Sequence, residues 1–182
     1  MRWEDVTQPT AEPVSVPELK AWLRIEHGED DVMLNELVRA ARSWVERYTG
    51  RALAQRQVRQ WAQSFRADLA LVPVLSIDEV RVHYEDGTSA LLGASDRRLE
   101  GEVLYVLSVP VGARLRTEDW LEIVYTVDVS PEPELKLAVR QLVAYWYEQR
   151  QAAVERYRWE RAPEAADHLI HSLRRWVVYE SG

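Results

Sequence analysis

The sequence predicts an α+β fold, mainly a helical bundle, in which a small antiparallel β-sheet is inserted between the second and third helices. Apolar residues recur at helical spacing on both sides of the chain's middle, whereas between about residues 55 and 127 they alternate with polar ones. Proline and glycine punctuate this middle part, which is typical of short strands joined by turns. The 182 residues, 47% of them apolar, are enough for one domain with its own core.

The N-terminal part predicts an extended arm followed by a short helix. Residues 1–14 contain two prolines and show little periodicity, which favours an arm. Ser15 and Glu18 have the spacing of a capping box, in which each side chain accepts a hydrogen bond from the other residue's backbone. The first helix is therefore predicted from about residue 17 to residue 25.

A second helix is predicted from Asp30 and Asp31 to Gly50. The two acidic residues suit the positive end of the helix dipole, and Gly50 stands where a left-handed C-cap is expected. The apolar positions between them follow the spacing of one buried helical face. They are Leu34, Leu37, Val38, Ala41, Trp44, Val45 and Tyr48.

The middle of the chain predicts five or six short antiparallel strands. Within residues 80–84, valine and tyrosine alternate with Arg81 and His83, the signature of a half-buried strand. Asp86-Gly87 is a strong signal for a two-residue hairpin turn. Residues 103–107 and 120–127 are two further strand candidates.

A long third helix and a short last helix are predicted after the strands. Two prolines at 131 and 133 mark the start of the third helix, which is apolar over most of its circumference and so is expected in the core. Its main stripe consists of Leu135, Ala138, Val139, Leu142, Tyr145, Trp146 and Gln149, with Val143 and Tyr147 beside it. The last helix is predicted over residues 167–178.

The predicted organisation has three parts. Residues 1–14 form the arm, and residues 15–152 form a single domain with the β insertion at about 55–127. Residues 153–182 form a C-terminal docking segment that holds the last short helix. A single domain is expected because the helices on either side of the sheet are too few to make separate cores.

Two clusters have residue types that could bind a metal ion. The first is the acidic turn made of Glu26, Glu29, Asp30 and Asp31. Calcium loops need oxygen ligands at alternating positions and a later bidentate glutamate, so helix capping in a solvated turn is the favoured interpretation. The second is the pair His168 and His171 near Asp167, for which no third ligand is evident. No metal site is predicted.

The sequence lacks the common catalytic motifs. It has no cysteine, no Walker loop, no GxGxxG and no serine in a nucleophile-elbow pattern. Carboxylates are present near the C-terminus, but their spacing does not define a pair across a cleft. No enzyme activity and no cofactor are predicted, and a hydrolase with converging carboxylates stays open as an alternative.

Composition and charge restrict the kinds of partner. The net charge of −7 argues against a sequence-independent DNA-binding protein, which needs a basic surface to displace counterions. No apolar run approaches the roughly 20 residues that span a bilayer, so no membrane is expected. The absence of cysteine and of a signal-peptide core favours a protein made and used in a cytoplasm.

Large aromatic side chains are divided between two predicted roles. Trp22, Trp44, Tyr145 and Trp146 fall on apolar helix faces and are expected to pack in the core. Trp159 and Trp176 lie in the less regular C-terminal region, where an exposed tryptophan would anchor a protein partner.

Three stretches, taken in order, resemble a family of assembly proteins. They are LKAWLRI (19–25) with the acidic turn and YTGRAL (48–53), LVPVLSI (71–77) leading to the Asp86-Gly87 turn, and IVYT (123–126) with PELK (133–136) and LVAYWYEQR (142–150). Together they cover about residues 16–152. The chain resembles the head–tail connector (adaptor) proteins of long-tailed bacteriophages and gene transfer agents, a family once labelled DNA-packaging proteins. It departs from that pattern at Val127-Asp128-Val129-Ser130, where the family often has a glycine-containing turn, and in its longer aromatic tail.

The resemblance implies a structural role without catalysis. Members of the family form a ring of about twelve copies beneath the portal, a head-to-tail assembly that closes by rotation. The ring extends the DNA channel, through which DNA passes without specific binding, and is the platform for a stopper or tail protein. The implied location is the head–tail interface of the virion, with assembly in the host cytoplasm.

The resemblance also implies a portal or partner interface in the C-terminal segment. Its candidate residues are Trp159, His168, Ile170, Leu173, Trp176 and Tyr179. The alternative function is a cytoplasmic helical binding module or assembly chaperone that forms no ring. Formation of a ring together with a portal protein would distinguish the connector from the binding module or chaperone.

Overall fold

The computed structural model describes residues 2–112, 114–149 and 164–175, the last range without the side chains of 164–167. The chain divides into two compact units. The sheet unit contains residues 2–10 and Ala54–Val129. The helical unit contains Ala11–Leu53 and the described residues from Ser130 to Arg175. The single connector domain expected over residues 15–152 stays a prediction.

The prediction of a mainly helical bundle with one small sheet is wrong. The described residues form eight strands in two sheets and four α-helices, so the fold is mixed rather than mainly helical. Three strands, Arg66–Asp68, Ser89–Leu91 and Arg97–Glu100, have only three or four residues, too few to show a period-two pattern. A fourth, Arg2–Asp5, lies within the predicted arm, where the sequence gives no strand signal.

The sheet unit contains all eight described strands, which pair antiparallel throughout. They are β1 (Arg2–Asp5), β2 (Arg56–Ala62), β3 (Arg66–Asp68), β4 (Val74–His83), β5 (Ser89–Leu91), β6 (Arg97–Glu100), β7 (Val103–Val106) and β8 (Leu121–Val127). Five of them form one sheet in the order β1-β2-β8-β4-β5, and the other three form a second in the order β3-β7-β6.

The predicted strand signals in the middle of the chain are confirmed at β4 and β5. Val80, Val82 and Tyr84 are buried, while Arg81 and His83 are partly exposed. The β4–β5 hairpin turns at Gly87, whose φ of +84° is a conformation that favours glycine.

One face of the five-stranded sheet is apolar, and a tyrosine at its centre is hydrogen-bonded. Tyr125 of β8 is fully buried; its hydroxyl donates to Gln60 Oε1 at 3.3 Å and accepts from the Leu71 N–H at 3.1 Å. A buried polar group needs such partners, because an unpaired one costs free energy. The hydroxyl therefore ties β2 and the chain after β3 to the centre of the sheet.

The helical unit contains four α-helices. They are α1 (Val16–Leu23), α2 (Asp31–Thr49), α3 (Pro133–Gln149) and α4 (Glu164–His171). The predicted capping box at Ser15 and Glu18 is confirmed, and so is the left-handed C-cap at Gly50, with φ of 71°. The first helix ends earlier than predicted, because Arg24 takes up the left-handed conformation with φ of 58°.

A single apolar cluster forms the core of the helical unit. It contains Leu19 from α1, Ile170 from α4, and the predicted faces of α2 and α3: Leu34, Val38, Ala41, Val45, Leu135, Ala138, Val139, Leu142, Val143 and Trp146. Trp22 is an exception, since its side chain is 50% exposed although the sequence predicts it in the core. No helix in the described ranges is long and apolar enough to cross a membrane.

Candidate assembly surfaces

Helix α4 and the residues just after it hold three of the six residues predicted to contact a partner. His168 is exposed, Leu173 just after the helix is half-buried, and Ile170 is fully buried in the core of the helical unit. Trp159, Trp176 and Tyr179 lie outside the described residues. Among the predicted contacts that are described, His168 alone presents a freely accessible side chain.

His171 is engaged with α2 rather than with a metal cluster. Its Nδ1 lies 3.2 Å from the hydroxyl of Tyr48, which stacks on Trp44 with ring centroids 5.3 Å apart. Within the parts of the chain that are described, no three histidine or carboxylate side chains are grouped so as to hold a metal ion. The His171–Tyr48 contact thus helps to hold α4 against α2.

The acidic turn before α2 has a different geometry from the predicted cap. Asp30 occupies the N-cap position but makes no side-chain capping hydrogen bond; it accepts one from the hydroxyl of Tyr147 in α3 instead. Asp31 forms an ion pair with Lys20 of α1, with 2.8 Å between Oδ1 and Nζ. Glu26 and Glu29 are exposed. The turn therefore joins three helices and leaves two carboxylates on the surface.

An open groove lies between α1 and the first turns of α2. Its volume is about 700 Å³, and the Lys20–Asp31 ion pair lies on its wall. Val32 on its margin is 75% exposed and extends the apolar lining of the groove onto the surface. The apolar lining consists of Val16, Pro17, Ala21, Ile25 and Val32.

Another exposed feature of α1 is Trp22. The guanidinium of Arg140 in α3 lies 5.7 Å from the centre of its ring and also contacts Glu18 at 3.4 Å. Tryptophan and arginine are among the side chains most enriched at the energetic centres of protein interfaces. The sequence places Trp22 on an apolar face, and only the packing of α1 shows that it points outward.

A buried ionic network inside the helical unit is not predicted from the sequence. Glu46 is fully buried and receives hydrogen bonds from Arg42 Nη1 and from the Leu53 N–H, both at 2.8 Å. Arg42 Nε also donates to Glu12 at 2.8 Å. The spacing of Arg42 and Glu46 by one helical turn was a visible signal for a pair, but it does not reveal burial.

The outer face of the five-stranded sheet carries a row of alternating charges. Arg59 of β2 lies between Glu4 of β1, at 3.2 Å, and Glu122 of β8, at 2.7 Å. The second oxygen of Glu122 is 2.7 Å from His83 Nε2 on β4. Acidic and basic side chains alternate across four strands, so the face stabilises the sheet while staying polar.

Asp78 forms a second polar cluster on this unit. Burial alone would raise the pKa of its carboxyl, but hydrogen bonds donated by Ser76, Gln57 and Thr126 outweigh it and hold the pKa below the ordinary 3.8. The donors lie on β2, β4 and β8. Ionised Asp78 thus links three adjacent strands at a place where β4 is bulged.

Comparison with known families identifies the kind of protein that has these surfaces. A sequence model described as "HCP: Head completion protein" matches residues 12–156, which is most of the chain and includes parts of both units. The chain belongs to the head completion protein family. This membership confirms the resemblance to head–tail connector proteins and, with it, a structural role at the head–tail junction of a phage-like particle.

Solved structures share the fold of this head completion protein. A chain in the neck of an empty gene transfer agent particle, computed with C6 symmetry, is 23% identical with a TM-score of 0.73; it covers 100% of this chain and 99% of its own length. A chain in the neck of a native particle, computed with C12 symmetry, is 21% identical with a TM-score of 0.72 and the same coverage. No curated protein sequence matches the chain.

Proposed function

We propose that this head completion protein forms a ring beneath the portal of a phage-like particle, where it extends the DNA channel and receives the stopper or tail. The single observation that carries this proposal is the family match over residues 12–156. Likeness to chains in particle necks computed with sixfold and twelvefold symmetry supports a ring, since such symmetry requires repeated copies around one axis.

The surfaces of the molecule are suited to this role. A ring built by rotation brings two different patches of each copy together, so each protomer needs distinct, complementary faces. The helical unit offers the apolar groove and the exposed Trp22, and the sheet unit offers a polar, charged face. The net charge of −7 suits a channel past which DNA slides without sticking.

The proposal includes no enzymatic step. Among the described residues, the three carboxyls with a clearly shifted pKa, Glu18, Asp78 and Asp86, are all shifted downward because hydrogen bonds favour their charged forms. A general acid that works near neutral pH needs an upward shift instead. These acids therefore stabilise a helix cap, a group of strands and a turn, which fits a structural part.

The portal is proposed to bind the C-terminal segment 153–182, in which exposed His168 is the described candidate contact. The N-terminal arm and the loops of the sheet unit are proposed to contact the tail-side protein. Assembly is proposed to take place in the host cytoplasm before the completed particle is released.

The decisive experiment is electron microscopy of particles produced without this protein. We expect DNA-filled heads without tails, and restoration of tails when the wild-type protein is supplied in trans. Full heads carrying normal tails in its absence would overturn the proposal.

Mass spectrometry of purified particles separates the connector from an assembly chaperone. A connector stays in the finished particle at a fixed number of copies relative to the portal. A chaperone acts during assembly and is lost, so its absence from complete particles would favour the alternative function.

A further inference from the structure

The loop that follows β7 holds apolar side chains in water. This apolar loop, residues 107–112, contains no charged residue. Leu107 is 55% exposed, Pro110 is exposed, and Val111 is fully exposed. Apolar side chains that are collected in one loop, rather than scattered singly over the surface, are typical of a protein interface.

The apolar loop is braced at both ends. The Leu107 N–H donates to the carbonyl of Asp96 at 2.7 Å, and the hydroxyl of Tyr84 donates to the carbonyl of Pro110 at 2.9 Å. Gly112 lies against the ring of Tyr84, where a Cβ would come within 2.9 Å of Cζ, so a larger residue would push the loop away. A loop fixed in this way loses little conformational entropy when it binds.

Several polar groups of the apolar loop already have partners, so a dry contact would not leave them unpaired. Pro110 has no N–H, and its carbonyl accepts from Tyr84. Ser108 donates to Asp96 with both its N–H, at 3.3 Å, and its hydroxyl, at 2.7 Å. Burying a polar group is costly mainly when it loses its hydrogen bond. The loop is therefore suited to an apolar partner surface.

The α1–α2 groove is a surface of this kind on the same chain. The charged residues in its lining, Lys20 and Asp31, are paired with each other at 2.8 Å, so the groove offers no unmatched charge to an occupant. The rest of the lining is apolar apart from Asn35. Its volume of about 700 Å³ is within the range of roughly 300–1,000 Å³ in which proteins bind small molecules, which is room for a few apolar side chains. A fitting occupant is uncharged and apolar.

The two surfaces form a complementary pair that stays uncovered in the single chain. Val111 of the loop is fully exposed, and Val32 on the margin of the groove is 75% exposed. A ring built by rotation joins two different patches of each copy, and a projecting loop and a groove are two such patches.

We propose that the apolar loop of one copy inserts into the α1–α2 groove of the next copy, as a head-to-tail contact of the ring. The inference rests on the proposed function, because the contact repeats around the ring only if a ring forms. It assigns this loop to the neighbouring copy and leaves the other loops of the sheet unit to the tail-side protein. The contact is held by burial of apolar surface, since neither side contributes an unmatched charge.

Disulfide cross-linking tests the contact directly, because the chain has no native cysteine. Val32→Cys and Val111→Cys are made in separate full-length proteins of different tag size, which are produced together in cells that form particles. We expect oxidised particles to give a mixed dimer on a non-reducing gel. The matched control replaces Val111→Cys by Leu75→Cys, which is 57% exposed at the other end of β4 from Tyr84, and is expected to give no mixed dimer.

The outcomes separate this inference from the proposed function. Particles that contain both proteins but no 32–111 mixed dimer overturn the inference and leave the connector role intact. A cross-link from Val111→Cys to the portal or to a tail-side protein overturns it as well. Absence of the protein from finished particles overturns the proposed function, and the inference falls with it.

A charge exchange supplies a second test that does not depend on cysteine geometry. Val111→Asp is expected to lower the recovery of tailed particles at least tenfold, because it brings an unpaired carboxylate to an apolar lining. Val32→Arg in the same chain supplies a partner for that carboxylate and is expected to restore the recovery. Leu75→Asp is the matched control and should behave like wild type. An equal loss with Leu75→Asp, or no rescue by Val32→Arg, would overturn the contact.

Discussion

At the scale of single residues, the pair Arg42–Glu46 is a buried ionic constraint in the helical unit. Glu46 has no exposed surface and accepts hydrogen bonds from Arg42 and from the backbone of Leu53. A buried charge is tolerated only when its partners are in place, because taking it out of water costs several kcal/mol. The network therefore fixes how the chain leaves α2 after Gly50.

Removing the acid should be costly. Glu46→Ala leaves the Arg42 charge with Glu12 as its remaining ionic partner and deprives the Leu53 N–H of its acceptor. We expect a loss of about 3–5 kcal/mol in the free energy of unfolding, measured by urea denaturation at pH 7. Glu36→Ala, at an exposed position on the same helix, is the control and should change stability by less than about 0.5 kcal/mol. Equal unfolding midpoints for the two variants would contradict the assigned role of Glu46.

Prediction of single residues from the sequence succeeds for periodic apolar positions and fails where packing decides. The stripe on α2 is predictable because its spacing alone indicates one face. Trp22 is misplaced because α1 has only eight residues, and such a short helix does not fix which side faces the core. The burial of Glu46 is not predictable, since an i, i+4 ion pair is more often a surface feature.

At the scale of elements, local signals explain which boundaries are predictable. The caps at Ser15 and Gly50 are made with residues only three or four positions away, so a few residues of sequence are enough to predict them. Strand β1 depends on pairing with β2 far along the chain, as in the register of Glu4 with Arg59. Long-range pairing of this kind leaves no local pattern, and the sequence therefore underestimates the amount of sheet.

The Asp78 cluster makes sheet stability depend on pH. The pKa of Asp78 in the folded protein lies below its ordinary value of 3.8 because Ser76, Gln57 and Thr126 donate to the ionised form. The stabilisation is fully present above the unfolded pKa and is lost as the pH falls through the folded one. In Asp78→Asn this contribution is absent, so the variant should be less stable than wild type at pH 6 and the difference should shrink below about pH 4.

Urea unfolding of both proteins from about pH 6 to about pH 2.5, followed by tryptophan fluorescence, measures this difference. Glu118→Gln, an exposed acid of the same unit, serves as the control and should follow the wild-type curve. A constant gap between wild type and Asp78→Asn over the whole range would show that Asp78 does not titrate with folding.

At the scale of the whole molecule, the sequence indicates the family better than the architecture. The ordered stretches that resemble connector proteins are built of packing residues such as those around Tyr145 and Trp146, which the family match over residues 12–156 also covers. Such residues identify a fold by their order, even when the number of strands between them is misjudged. The order of packing residues does not predict which side chains form the surface, because the exposure of Trp22 or Val32 depends on how the helices pack.

The predicted C-terminal interface can be separated from the core by comparing two residues of α4. Ile170 is fully buried, so Ile170→Ala should lower the free energy of unfolding by about 2–5 kcal/mol through the cavity it leaves. His168 is exposed, so His168→Glu should unfold like wild type, within about 0.5 kcal/mol. If α4 binds the portal, His168→Glu should reduce the recovery of tailed particles in a complementation assay without loss of folded protein. If His168→Glu gives tailed particles at the wild-type level, this face of α4 is excluded from the interface. If only Ile170→Ala reduces the recovery of tailed particles, the result indicates only that the helical unit must be folded.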